Sequence, residues 1–197
     1  MVVESMPGWT VCGEASSGTE AVQMTEELRP EIVVMDIAMP LLNGLDATRQ
    51  IKKSTPETEV LILTALETDE LVRQVFASGA RSYILKTDGK KHIEDALRAL
   101  AMHRPYFTTR VGEILFDQLR QGEKSRAESP PGSRLTARER EIVQLLTEGK
   151  SNREVAGFLG ISEKTVETHR AAVMRKLNLK SFSDLVRFAI RNHITSA

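Results

Sequence analysis

Glu31-Ile32-Val33-Val34-Met35-Asp36-Ile37-Ala38-Met39-Pro40 is the stretch on which the fold turns. Four consecutive apolar residues, two of them valine, are too short for a helix and lack the alternation of a half-solvated strand. They read as a strand buried on both faces, the signature of a parallel sheet covered by helices. The run stops at a carboxylate, and Pro40 and Gly44 follow as turn residues.

Working outward, Thr10–Ala15, Glu59–Leu63 and Ser82–Leu85 are further short runs rich in Val, Ile and Leu. Helical periodicity separates them at Thr19–Leu28, Gly44–Ile51, Glu70–Ala77 and Ile93–Ala101. Strands that alternate with helices need crossover connections, so the expected class is an α/β doubly wound parallel sheet. Ligands of such sheets gather at the carboxyl ends of the strands. Asp36, Thr64 and Lys86 each stand at one of those ends. A carboxylate can accept a phosphoryl group, a hydroxyl can hydrogen-bond its oxygens, and an ammonium can neutralise its charge.

Asp, Thr and Lys ending successive strands, with Met39-Pro40 and Gly44 after the Asp and Gly79-Ala80 before the last strand, resemble the receiver domain of bacterial two-component response regulators over about residues 1–105. The resemblance implies a flavodoxin-like fold with Asp36 as phosphoacceptor, Thr64 as switch hydroxyl, Lys86 as phosphate-binding lysine and Tyr83 as switch aromatic. It also implies Mg²⁺, held by two adjacent acids after the first strand, by the phosphoacceptor and by a carbonyl two residues beyond it. Here Asp36 and the carbonyl of Ala38 match. The acidic pair does not: Glu26-Glu27, the one adjacent acidic pair upstream, lies in a helical pattern. The expectation is an incomplete Mg²⁺ site and impaired phosphorylation of Asp36.

Pro7-Gly8-Trp9 is similar to the turn that enters a receiver's second strand, which makes Met1–Met6 the end of its first helix. The usual strand order is 2-1-3-4-5, so an absent first strand leaves two neighbours with unpaired backbone groups. The expected explanation is a start site that omits about twenty to thirty residues of a typical domain of this class. A naturally shortened, phosphorylation-independent receiver is the alternative.

Beyond residue 105 the pattern changes. Val111, Ile114, Leu115 and Leu119 share one helical face over Val111–Leu119, and Gln121–Ser133 carries the Gly, Ser and Pro content of a flexible linker, so residues 106–133 read as linker helix plus linker. Residues 134–197 read as a small all-α domain. Helices are expected at Ala137–Thr147, Asn152–Leu159, Glu163–Leu177 and Ser183–Asn192, the second and third joined at Gly160-Ile161-Ser162 as a helix-turn-helix. Projection of the third at 100° per residue puts Val166, Val173 and Leu177 on a core stripe and Lys164, Thr168, Ala171 and Arg175 opposite, with Glu167 at the edge. Such a polar, partly basic face suits a major groove.

Leu135-Thr136-Ala137-Arg138-Glu139-Arg140-Glu141, Gly149-Lys150-Ser151-Asn152-Arg153-Glu154-Val155-Ala156 and Ile161-Ser162-Glu163-Lys164-Thr165-Val166-Glu167-Thr168-His169 closely resemble the LuxR-type helix-turn-helix. With the receiver, the chain is similar to the NarL/FixJ class of response regulators. That implies a transcription regulator of a double-stranded DNA operator, usually a homodimer on DNA, controlled by a sensor histidine kinase. By position, Glu167, Thr168 and Ala171 fall where relatives read bases, and Lys164, Thr165, Arg175 and Lys176 are phosphate-contact candidates. Arg170 lies nearer the core and is expected to pair with Glu139 or Glu141. Phe182, Leu185, Val186 and Ala189 are candidates for either a dimer surface or a core face.

Charge and composition agree with this division. Residues 1–120 hold 13 Lys/Arg against 18 Asp/Glu, whereas residues 134–197 hold 12 against 7, so a neutral chain has an acidic half and a basic, nucleic-acid-suited half. No apolar run is long enough for a membrane span or a signal peptide, which makes a cytoplasmic location the expectation. Cys12 is the single cysteine, and His92, His103, His169 and His193 lack metal-ligand spacing, so they are expected in structural or surface roles. No acid/base constellation beyond the receiver trio indicates an enzyme. A phosphorylation-independent DNA-binding regulator and a protein-interaction receiver module are the alternative readings.

Overall fold

The computed structural model describes residues 2–65, 67–122 and 135–195, with backbone alone for 118–122. The chain divides into two compact units, Met1–Met39 with Gly44–Ser125, and Pro40–Asn43 with Arg126–Ala197.

The first unit is built on a parallel four-stranded sheet, β1 (Ile32–Met35), β2 (Glu59–Thr64), β3 (Ser82–Leu85) and β4 (Tyr106–Phe107), in the spatial order β1-β2-β3-β4. Helices α1 (Gly18–Leu28), α2 (Gly44–Ser54), α3 (Asp69–Ala77), α4 (Gly89–Ala101) and α5 (Thr109–Gly122) connect and follow the strands. Register places Val34 beside Leu61 and Leu61 beside Ser82, so Leu61 and Ile84 share one face of the sheet. On that face they pack with Met6, Ala96, Leu97 and Leu100, the N-terminal turn and α4 closing over them. Val60, Ile62 and Tyr83 point the other way and are equally buried, as are Leu45 and Ile51 of α2 and Leu71 and Val75 of α3. Burial on both faces explains why β2 is an unbroken apolar run apart from its ends.

At the amino end of the sheet a buried carboxylate ties the layers. Glu59 Oε1 accepts from Arg81 Nη1 at 2.9 Å and meets His103 Nδ1 at 3.0 Å, while Arg81 Nη2 donates to the His103 carbonyl at 2.7 Å. This fixes the turn from α4 into β4.

Two expectations require correction. Thr10–Ala15 is not a strand: it is an extended segment with Val11 exposed and Gly13 lying against Met24 of α1. Ladder bonds need a neighbouring edge, and β1 pairs with β2 alone among the described residues. Val34 is accordingly 41% exposed although its run reads as buried. Second, Gln121 and Gly122 continue α5 rather than opening a linker, and the rest of the proposed flexible segment, 123–133, lies outside the described residues. Strand β4 was not anticipated, because two residues carry no periodicity.

The second unit contains α6 (Ala137–Thr147), α7 (Asn152–Leu159), α8 (Glu163–Lys176) and α9 (Phe182–Arg191). Side-chain oxygens start each one: Thr136, Ser151 and Ser181 form capping boxes with Glu139, Glu154 and Asp184, and Ser162 caps α8 through the Thr165 amide. Gly160, at φ +63°, ends α7 in the left-handed conformation that glycine adopts without a Cβ clash. Two buried clusters hold the helices. Ile142, Leu145, Leu146, Val155, Ala156 and Val166 pack together, as do Leu135, Val143, Val173, Leu185, Ala189 and Ile194. Leu185 and Ala189 are thus core, while Phe182 and Ile190 face outward.

Gly44 offers a sharp test of the loop after β1. A Cβ there would lie 1.9 Å from the Asp36 carbonyl oxygen, a backbone atom that cannot turn aside. Gly44→Ala should lower unfolding free energy by about 1–3 kcal/mol in a urea titration, whereas Gly112→Ala, which meets nothing within 4 Å, should not destabilise.

Candidate functional site: a carboxylate–lysine pair and an outward helix face

The parallel register brings three strand ends together. Asp36 follows β1, Thr64 ends β2 and Lys86 follows β3, and the Lys86 amide donates to the Thr64 carbonyl at 2.8 Å. Lys86 Nζ donates to Asp36 Oδ2 at 2.5 Å, the two side chains being 47% and 34% exposed. Asp36 Oδ1 takes a longer bond, 3.4 Å, from the Ala38 amide. Thr64 is buried. A half-buried carboxylate opposite a lysine and beside a hydroxyl-bearing strand end has the chemistry to receive a phosphoryl group. The sequence expectation that these residues converge therefore holds for Asp36 and Lys86 directly, and for Thr64 through the backbone.

The Mg²⁺ expectation fares differently. Magnesium wants octahedral oxygen ligands with more than one anionic donor. Among the described residues no group of three or more His, Cys, Asp or Glu side chains is arranged to hold a metal. Asp36 is the carboxylate at this strand end, and an ammonium sits on one of its oxygens.

Tyr83 lies next to this site and is sealed. It is 1% exposed, paired in register with Ile62 on one side and Phe107 on the other. Burial, and then the negative charges of Glu67 and Asp88, push its hydroxyl up to about 12, with Arg110 acting the other way. Three contacts hold β4 and α5 over this edge. Phe107 meets Phe76 edge-on at 5.0 Å, Arg110 pairs with Glu67 in the loop after Thr64, and Val111 is buried. This strap was missed in the sequence because its anchors are single residues from different elements.

In the second unit, α8 presents the face that periodicity indicated. Val166 and Val173 are buried, and Leu177 packs against the core. Lys164, Glu167, Thr168, Ala171 and Arg175 are exposed, and Thr165 is half-buried. Lys164 reaches Glu167 at 3.4 Å, a surface pair that competes weakly with another anion. Thr168 Oγ1 donates to the Lys164 carbonyl at 2.8 Å. Lys176 is engaged elsewhere: its Nζ donates to Glu139 Oε2 at 2.8 Å, tying the end of α8 to the start of α6. Arg170 pairs with neither Glu139 nor Glu141. Glu139 is occupied by Lys176 and Glu141 by Arg138, and the Arg170 guanidinium instead lies 5.4 Å over the Phe182 ring.

The first unit has the architecture of a receiver-type switch, and the second is a helix-turn-helix domain. Comparison with known proteins gives the same division: a response regulator receiver domain family matches residues 2–98, and the luxR family of bacterial regulatory proteins matches residues 133–189. The chain is 36% identical over 194 residues to the transcriptional regulatory protein LiaR of Bacillus subtilis, covering 98% of this chain and 90% of LiaR. It is 38% identical over 184 residues to the response regulator VraR of Staphylococcus aureus, covering 93% and 85%. A LuxR-family response regulator structure from Aurantimonas sp. superposes with a TM-score of 0.57 at 27% identity, over 60% of this chain and 85% of that one. RcsB of Salmonella enterica serovar Typhimurium shares the fold at TM-score 0.56 and 22% identity, over 94% and 88%. The chain belongs to the LuxR-type family of two-component response regulators, the NarL/FixJ class.

Glu139 supplies a pH test of how α8 is held. Burial raises its pKa, but hydrogen bonds from Lys176 and from the Thr136 amide and hydroxyl outweigh it and leave the carboxyl below its ordinary 4.5. A depressed folded pKa stabilises above the unfolded value and loses that contribution as pH falls through the folded one. Lys176→Met should therefore cost about 1–2 kcal/mol at pH 7, and the gap from wild type should close in melts taken progressively below pH 4.5. A gap that stays constant from pH 7 to pH 3 would contradict this assignment.

Proposed function

We propose that the chain is a DNA-binding transcription regulator whose recognition element is α8, with Glu167, Thr168 and Ala171 toward base edges and Lys164, Thr165 and Arg175 toward phosphates. The observation that carries this reading is the division of α8 into a buried apolar stripe and an exposed polar face within a capped helix-turn-helix. Ala171 is small enough to let the backbone approach the groove, and Glu167 can accept from cytosine N4 while disfavouring neighbouring phosphate. Lys176, held by Glu139, positions the helix in this reading. The family supports a homodimer on a two-fold operator and a sensor histidine kinase as the phosphoryl donor, in a cytoplasmic protein that is not itself an enzyme.

Asp36 is the nominal phosphoacceptor: the P–N bond of a phosphohistidine would break as a P–O bond to Asp36 forms, with Lys86 neutralising the incoming oxygens. We assign this chain weak phosphorylation, because Lys86 supplies the local counter-charge and the described acids do not supply a Mg²⁺ site. Regulation without phosphorylation is the alternative reading. A partner-binding receiver without DNA contact leaves the exposed polar face of α8 without a use.

Two measurements check these assignments. After incubation with a small-molecule phosphodonor and Mg²⁺, intact mass should show little Asp36-dependent phosphate, and Asp36→Ala should bind DNA within about twofold of wild type. Near-complete phosphorylation that Asp36→Ala abolishes would overturn the first. For the DNA reading, log K should fall steeply with log salt, by about 0.9 per phosphate neutralised, and a slope near zero would refute it.

A further inference from the structure

The cations of the second unit fall into two groups. Those on Glu139, Glu141, Glu167 and Asp184 are paired, with Lys176, Arg138, Lys164 and Arg187 respectively. Lys150, Arg153 and Arg170 form no ion pair with an acid among the described residues. They nevertheless line one cleft, contributed by the loop before α7, the first turn of α7 and the middle of α8.

Two of the three are held in place by aromatic rings. Lys150 Nζ stands 5.8 Å from the Phe158 ring centre, and the Arg170 guanidinium 5.4 Å from that of Phe182. Stacking on a ring limits a side chain's freedom while leaving its N–H edges exposed, which suits Arg to bidentate oxyanion binding. The nearby acids do not cancel the charge. Glu154 is turned to the Ser151 amide and hydroxyl, at 2.8 and 2.7 Å, and feels Lys150 only through space. Glu163 also lines the cleft, leaving three cations facing one uncommitted carboxylate.

Position gives the ligand's identity. At 100° per residue, Arg170 lies between the Val166–Val173 core stripe and the outward face, on the Glu167 side of α8. A helix seated in a major groove is flanked by sugar-phosphate backbone, with the preceding helix crossing it. We propose that Lys150, Arg153 and Arg170 form a phosphodiester-binding cleft that grips the DNA backbone beside the groove occupied by α8. The inference rests on the DNA-binding reading and moves Arg170 from a structural to a ligand-binding role. The cleft adds affinity without sequence preference, because phosphates carry no base information.

The test uses the full chain and fluorescent duplexes, operator and scrambled, with affinity measured across a salt series. The variants are K150Q/R153Q, R170Q and the triple combination, each checked for wild-type helicity and melting. One lost phosphate contact should reduce the slope of log K against log salt by about 0.9 in the triple variant. Affinity should fall at least about fivefold on both duplexes. Arg170→Lys should retain most of the slope. Folded variants with wild-type slope and affinity would overturn the cleft, including K150Q/R153Q if R170Q disturbs the Phe182 contact. A wild-type chain with no salt dependence would instead remove the DNA-binding reading, so the two failures are distinguishable.

Discussion

Parallel pairing of β1, β2 and β3 is the constraint on which the first unit depends. In-register alignment of Val33, Val60 and of Ile62, Tyr83 brings strand ends together that are separated by more than twenty residues in the chain. Asp36 and Lys86 meet although β1 stops level with Tyr83, two residues short of the end of β3: the long Lys86 side chain spans the difference, and its amide is fixed to the Thr64 carbonyl. The apolar runs that drive pairing are chemically inert toward phosphate. Their contribution to function is placement, and loops at their ends supply the reactive groups.

The second unit solves a different problem, that of presenting a charged surface from a very small core. Oxygen-bearing side chains satisfy the first amides of all four helices, which frees the sequence between caps to divide into buried and exposed faces. One paired cation, Lys176 with Glu139, stitches helix to helix, three others pair within their own helix, and unpaired ones remain for an outside anion. The same residue types thus serve structure or ligand according to whether an acid lies within reach.

Much of this was legible in the chain. Helices α6 to α9, the core stripe of α8 and the strand-end trio follow from periodicity and turn residues, signals that are local. The misreadings share a different origin. Thr10–Ala15 has a strand's composition, but a ladder is a property of two segments, and among the described residues it pairs with none of the four strands. Arg170 was expected to pair with Glu139 or Glu141 from its position on one helix, whereas its guanidinium lies over Phe182 of another. The strap of Phe107, Arg110 and Val111 depends in the same way on Phe76 and Glu67, contacts with no sequence period.

Among the described residues β1 is paired in the sheet with β2 alone. With Val34 41% exposed, its other side is where an added strand would continue the sheet. At four residues the strand is shorter than the roughly six- to seven-residue segments that form self-complementary zippers. Glu31 and Asp36 bracket it with negative charge at both ends, so a second copy approaching in register meets like charge before it meets hydrogen bonds. Association at this edge is therefore opposed electrostatically, and the opposition weakens as salt rises.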